Sequence, residues 1–275
     1  MRRALLFAAA AAVACSSPAF AQSRTFDQTL KLSPGGSLSL TATKGSVRLT
    51  AWDRDEVQIH ARIEAGSDDE YGKEAVDATQ VDVSGDGRSV RIRSNYDTVP
   101  RHWTVWGNDS RTTPDIHYEI RAPKRVDVDL DIDRSNSEIS GFAGRVTIDA
   151  DRSELRVRDI EGDLRVEIDR GGHSRFANLR GSFILEGDRT DLELAVAKLT
   201  DRSRLEIDRG DAEIRVPADQ ALTLRSDVER RGRFDVDLPL QGEGGSDRSP
   251  EGTINGGGPT LTVVARRARV DLRKL

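Results

Sequence analysis

Apolar and polar residues alternate along this chain in short stretches, and between positions 125 and 217 the alternation recurs as a repeated unit. Successive copies read VDVDLDIDRSNSEISGFAG, VTIDADRSELRVRDIEGD, LRVEIDRGGHSRFANLRGS, FILEGDRTDLELAVAKLTD and RLEIDRGDAEIRV. An Asp-Arg pair fixes their register, with Asp133, Asp151, Asp169, Asp188 and Asp208 spaced by 18, 18, 19 and 20 positions. A near-constant period of that length marks a stack of structural repeats.

Aligned on the Asp, the copies become columns. Five residues before it stand Val128, Val146, Leu164, Phe183 and Ser203, and three before it Leu130, Ile148, Val166, Leu185 and Leu205. With polar residues between them, these read as the inward side of a strand. A second strand follows each pair, with inward columns Ile139, Val157, Phe176, Val196 and Phe142, Ile160, Leu179, Leu199. Gly144, Gly162, Gly181 or Asp201 comes two residues after the last column, residue types that tolerate the positive φ of a tight corner. One such coil cannot bury its apolar side alone, whereas a stack of them closes a continuous core between parallel ladders about 4.8 Å apart. The expected fold is all-β: a single-domain parallel β-helix, or β-solenoid, with coils of about 18–20 residues and irregular strands and loops at both ends. An antiparallel sandwich of hairpins also yields short alternating strands, but it does not require one residue type at one place in every copy.

The flanks carry weaker versions of the pattern. Leu38 and Leu40, Val47 and Leu49 with Trp52, then Val57 and Ile59 read as an early coil, because Leu38 and Val57 stand 19 apart. Gln80 to Ile92 reads as another, with a turn at Gly85-Asp86-Gly87. Gly66 to Ala78 is acidic and reads as a surface excursion. Beyond Pro217, Leu222, Leu224 and Asp227 fit the columns, Asp227 lying 19 after Asp208. Gln241 to Gly258 is Gly- and Ser-rich and reads as a loop. Leu261 to Leu275 alternates again, as a final pair of strands closing the open end.

Residues 1–21 stand apart from this domain, 22–275. Arg2 and Arg3 precede the apolar run ALLFAAAAAVA, and Ala19-Phe20-Ala21 has the small-x-small form of a signal-peptidase site, so export with cleavage before Gln22 is expected. The alternative is a lipoprotein anchored at Cys15, the chain's one cysteine. No later run is apolar enough to cross a membrane as a helix. Cleavage removes two arginines and takes the formal charge from −5 to −7, and no basic run is interleaved with aromatics, which argues against nucleic acid as a partner. Charged residues at 32%, aromatics at 5% and a mean hydropathy of −0.55 suit a narrow core wrapped in solvated surface.

Several of these motifs together resemble a known family. Lys44-Gly45-Ser46-Val47, Ala51 to Val57 (AWDRDEV), Tyr118 to Pro123 (YEIRAP), the coils, and Ile254 to Pro259 (INGGGP) resemble the bacterial putative-adhesin family of β-strand repeat proteins, formally a domain of unknown function, over essentially the whole mature chain. The resemblance implies a β-repeat fold in the periplasm or at the cell surface. It brings no catalytic residues with it.

The residues themselves point away from catalysis. His60, His102, His117 and His173 lack metal-ligand spacing, the mature chain has no cysteine nucleophile, and the Asp-Arg pair recurs in every coil, which is how structure behaves. Neither a cofactor nor a metal is expected. The function that follows is a non-enzymatic cell-envelope module, adhesin-like, binding a glycan or protein. A structural or stress-response envelope protein acting through a protein partner and a polysaccharide-active enzyme are the alternatives. Trp103 and Trp106, in the polar stretch TVPRHWTVWGNDSRTTP, either stack on such a ligand or cap the apolar end of the coils. Asp131, Asp149, Glu167, Glu186 and Glu206 share one outward face with the Asp column, and neighbouring like charges there repel by roughly 1 kcal/mol in water. Arg134, Arg152, Arg170, Arg189 and Arg209 are expected to offset this by bridging carboxylates between coils, in preference to bound calcium.

Overall fold

The computed structural model describes residues 22–67, 70–100 and 113–275, and the backbone of the strand pair His102–Trp103 and Asp109–Ser110. The chain is all-β, with one large sheet and a single nine-residue helix, Glu70–Ala78, among the described residues. Two long strands, Ser23–Ala42 and His173–Asp188, each run from one ladder of the sheet into the other and so join them.

The repeats build two parallel ladders. In the first, Asp127–Asp133, Val146–Asp151, Glu161–Asp169, the second half of His173–Asp188, and Ser203–Asp208 pair in sequence order. In the second, Ser135–Ser140, Leu155–Arg158, the first half of His173–Asp188, Asp191–Leu199 and Asp211–Val216 do the same. Every aligned apolar position is buried, and all pack in one continuous cluster, but a bulge shifts the second ladder at one rung, so that Phe176 stands beside Leu194 and Leu179 beside Val196. Ser203 is also buried; its Oγ accepts the Phe183 N–H at 3.1 Å, so it costs no unsatisfied group.

Two kinds of corner link the strands of each repeat. The Asp-Arg corner puts the arginine in the left-handed region: φ is 49° at Arg134 and Arg152, 53° at Arg170, 52° at Arg189 and 59° at Arg209. At the other, Gly162 and Gly181 lie side by side at φ +133° and +139°, and a Cβ on Gly162 would stand 2.6 Å from the Gly144 carbonyl oxygen.

The flanks depart from the expected coils. Gly45–Trp52 does stack on Ser135–Ser140, and Leu38 pairs with Val128. Val57, however, is not in the Leu38 column: Glu56–Glu64 runs antiparallel to both Ser23–Ala42 and Asp115–Pro123, with Val57 opposite Leu30. Gln80–Gly85 and Gly87–Asn95 form an antiparallel hairpin, only the second strand of which lies parallel on Ser23–Ala42. The acidic excursion contains the helix, which buries Gly72, Ala75 and Val76.

The C-terminal strands are also placed differently. Thr260–Arg266 lies between Ser203–Asp208 and Leu222–Val228, and Arg269–Lys274 between Asp211–Val216 and Arg233–Val236. They are intercalated, and the outer position belongs to residues 222–254. Arg266, and not Asp227, therefore stands beside Asp208; Asp227 joins the column of Glu206 through Val264.

Candidate functional site

The Asp-Arg corners line up into one edge of alternating charge. Arg152 lies 3.2 Å from Asp133 and 2.9 Å from its own neighbour Asp151, and Arg170 lies 2.9 Å from Asp151 and 3.0 Å from Asp169. Arg189 spans Asp169 and Asp188 at 2.9 and 3.1 Å, and Arg209 spans Asp188 and Asp208 at 2.8 and 3.5 Å. Arg134 closes one end on Asp133 at 2.9 Å and Arg267, itself at φ 46°, closes the other on Asp208. The backbone follows the same rungs, with the N–H of Arg134, Arg152, Arg170 and Arg189 donating to Asp151, Asp169, Asp188 and Asp208 carbonyls. Left-handed backbone costs a residue with a Cβ about 1–2 kcal/mol. A guanidinium shared between two rungs is what glycine could not supply there.

Beside this edge Asp131, Asp149, Glu167, Glu186 and Glu206 stand in register. Glu206 is held by Arg204 at 2.6 Å and Arg266 at 2.7 Å, while among the described residues Asp131, Asp149 and Glu167 have no ion pair. Desolvation, then the charges of Asp149, Asp129 and Asp133, raise the Asp131 carboxyl above its ordinary value. Its ionised form therefore opposes folding at neutral pH, and that opposition disappears as pH falls through the raised value. Among the described residues no group of His, Cys, Asp and Glu is arranged to hold a metal ion.

Arg152 and Arg170 changed together to Gln should lower the melting temperature by roughly 2–8 °C, given four half-exposed ion pairs and the size of the domain. Calcium should leave it unchanged. Thermal denaturation with and without calcium tests both; a calcium-dependent rise abolished by Asp151→Asn and Asp169→Asn would make the edge a metal site.

A shallow groove of 340 Å³ opens on the outward face of the second ladder. Residues far apart in sequence meet in it, because strand pairing brings His117 beside both Ser46 and Arg62, and Glu119 beside His60. Arg48 lies 3.8 Å from Glu119 and 3.5 Å from Glu138, and His60 Nδ1 lies 2.7 Å from Asp27. Ser46 Oγ is 2.9 Å from His117 Nδ1, whose Nε2 is 3.1 Å from Glu64. This Ser-His-Glu relay has a hydroxyl and a base, but the strand that carries Ser46 offers no free backbone donor to hold an oxyanion. Gly45–Trp52 is paired on both sides, so its N–H groups are committed to the ladders. Alternation alone does not reveal this grouping, which depends on register. His173 lies elsewhere, 3.0 Å from Glu193.

Trp103 belongs to the short strand paired with Asp109–Ser110; its side chain and all of Trp106 lie outside the described residues, as do residues 1–21 with Cys15.

No protein-family model and no curated protein matches the chain. Among solved structures it is similar to a "putative adhesin" from Bacteroides fragilis, with a TM-score of 0.49 at 10% identity over 92% of this chain and 97% of that one. It is also similar to a "putative cell adhesion protein" from Clostridium sporogenes, with a TM-score of 0.32 at 10% identity over 92% and 100% of the two chains. A third, a "putative adhesin" from Parabacteroides distasonis, has a TM-score of 0.34 at 8% identity over 92% and 97%.

Proposed function

We propose that this chain is an exported, non-enzymatic module of the cell envelope, adhesin-like, whose two ladders wind as a single parallel β-helix and present a rigid, repetitive face to an envelope glycan or protein. The observation that carries the reading is the register: rung after rung, the Asp-Arg corner and the acidic column Asp131, Asp149, Glu167, Glu186 and Glu206 return to the same outward place. Such regularity suits extended contact with a repeating partner or a flat protein surface. It suits catalysis poorly, because catalysis needs one unusual constellation. In this reading the Asp-Arg edge is a staple within the fold, its charges already spent on one another, and the faces beside it are where a partner lies.

The test is recovery of the protein from its native envelope. The mature chain should begin at Gln22 by N-terminal sequencing, and as bait it should retain a glycan or protein from envelope extract at physiological salt. A chain recovered only from cytoplasm with residues 1–21 attached, or a bait that retains nothing, would overturn the proposal.

A further inference from the structure

Trp52 ends the strand Gly45–Trp52 at a corner where several chain segments converge. Its indole is half-buried and its Nε1–H donates to the Glu56 carbonyl at 2.8 Å. The surrounding backbone is pinned: Lys124 N–H donates to Trp52 O at 3.0 Å, Ala143 N–H to Lys124 O at 2.8 Å, Gly35 N–H to Arg125 O at 2.6 Å and Leu32 N–H to Asp55 O at 3.1 Å. Pro34 and Pro123 stiffen the walls. A cleft of 670 Å³ results, the right size for a small oligosaccharide segment. Its walls are already ordered, so a ligand would lose little affinity to arranging them.

The charges in this cleft differ from those of the Asp-Arg edge. Among the described residues, Lys124 and Arg125 have no carboxylate partner, and Asp53, Asp55 and Glu161, which line the same cleft, have no cation. Arg54 rests over the indole, 4.9 Å from the ring centroid, and 3.4 Å from Glu56. That is an exposed contact of the weak kind, easily displaced by a ring that covers the indole better. Along the Asp-Arg edge arginines are shared between two carboxylates; here charges of both signs are left open around one aromatic plane.

We propose that this cleft is a binding site for an acidic saccharide. The apolar face of a pyranose ring would lie on Trp52, as sugar rings do on flat aromatic surfaces. Its hydroxyls donate to the open carboxylates of Asp53 and Asp55, and its acid group is held by Lys124 and Arg125 through charge-assisted hydrogen bonds. A neutral sugar has no acid group for those two exposed cations to pair with, and so the site discriminates by acid group. The proposal rests on the reading of the chain as a binding module and names a ligand class for it.

The experiment is calorimetric titration of the mature chain with a hexasaccharide of galacturonic acid and, in parallel, with cellohexaose as its neutral counterpart. The uronate should bind, and cellohexaose should bind at least tenfold more weakly. Trp52→Ala should weaken uronate binding at least tenfold while Trp52→Phe keeps most of it. Lys124→Gln with Arg125→Gln should remove the preference for the acid. If Trp52→Ala fails to fold, as its melting curve would show, the Phe and Gln variants still decide. Absence of uronate binding, equal binding of the neutral sugar, or binding that survives the Gln pair overturns the site. If wild type and the Gln pair retain the same envelope partner from extract, this site is wrong and the binding module stands; if neither retains anything, the module reading itself falls.

Discussion

Valine in place of Gly162 or Gly181 should abolish the cooperative thermal transition, or leave a chain that does not accumulate in soluble form. Both glycines hold a φ that a side chain rarely adopts, and each faces the backbone of the coil before it: a Cβ on Gly162 meets the Gly144 carbonyl, and one on Gly181 meets that of Gly162. The obstacle in each case is main chain held in a ladder, so no rotamer change relieves it. Strained backbone costs about 1–3 kcal/mol and forced overpacking a similar amount, and the two together approach a large share of a domain's roughly 5–15 kcal/mol. Gly87→Ala is the control. Gly87 has φ +85° but open space around it, so this substitution should cost only the backbone part, about 1 kcal/mol. Circular-dichroism melts of the three variants check the ordering; a Gly181→Val protein that melts like wild type would mean that the corner column is free to move.

What the sequence made legible follows from what repetition can encode. The inward columns are legible because every repeat needs an apolar residue at one place, and Ser203 shows the limit: a polar residue enters the core when a neighbouring N–H meets it. The left-handed arginines are not legible in the same way. Positive φ is ordinarily assigned to glycine or asparagine, and only the spacing of Asp133, Arg152 and Asp151 across neighbouring rungs shows why arginine holds the place. Direction was equally hidden at the N-terminal end. Alternation looks the same in a parallel and an antiparallel strand, so Val57 fits the repeat by spacing although its strand runs the other way. The helix leaves little trace in the sequence because its buried side amounts to Gly72, Ala75 and Val76 in an otherwise polar segment. The Trp52 cleft and the groove at His60 and His117 gather residues from segments whose adjacency only the register reveals.

Stacking order is the remaining thing that alternation does not state, and it gives the second large effect. Removing residues 260–275 should do more than uncap the protein. Leu261, Val263, Val270 and Leu272 are fully buried, and burying such a side chain is worth about 1.5–3 kcal/mol. Their strands carry the rungs at 222–236 on one side and bind those at 203–216 on the other. Charges go with them, since Arg266 partners Glu206 at 2.7 Å and Arg267 closes the Asp-Arg edge on Asp208. A pair that merely closed the end would leave residues 203–236 folded after its removal, whereas an intercalated pair takes Leu222–Val228 and Arg233–Val236 with it. The truncated chain should therefore lose hydrogen-exchange protection over 222–236, be cut there by dilute protease, and melt at least 10 °C lower, since each kcal/mol is worth roughly 2–4 °C in a domain of this size. Retained protection over 222–236 would show that those strands stand without the pair between them and the earlier coils.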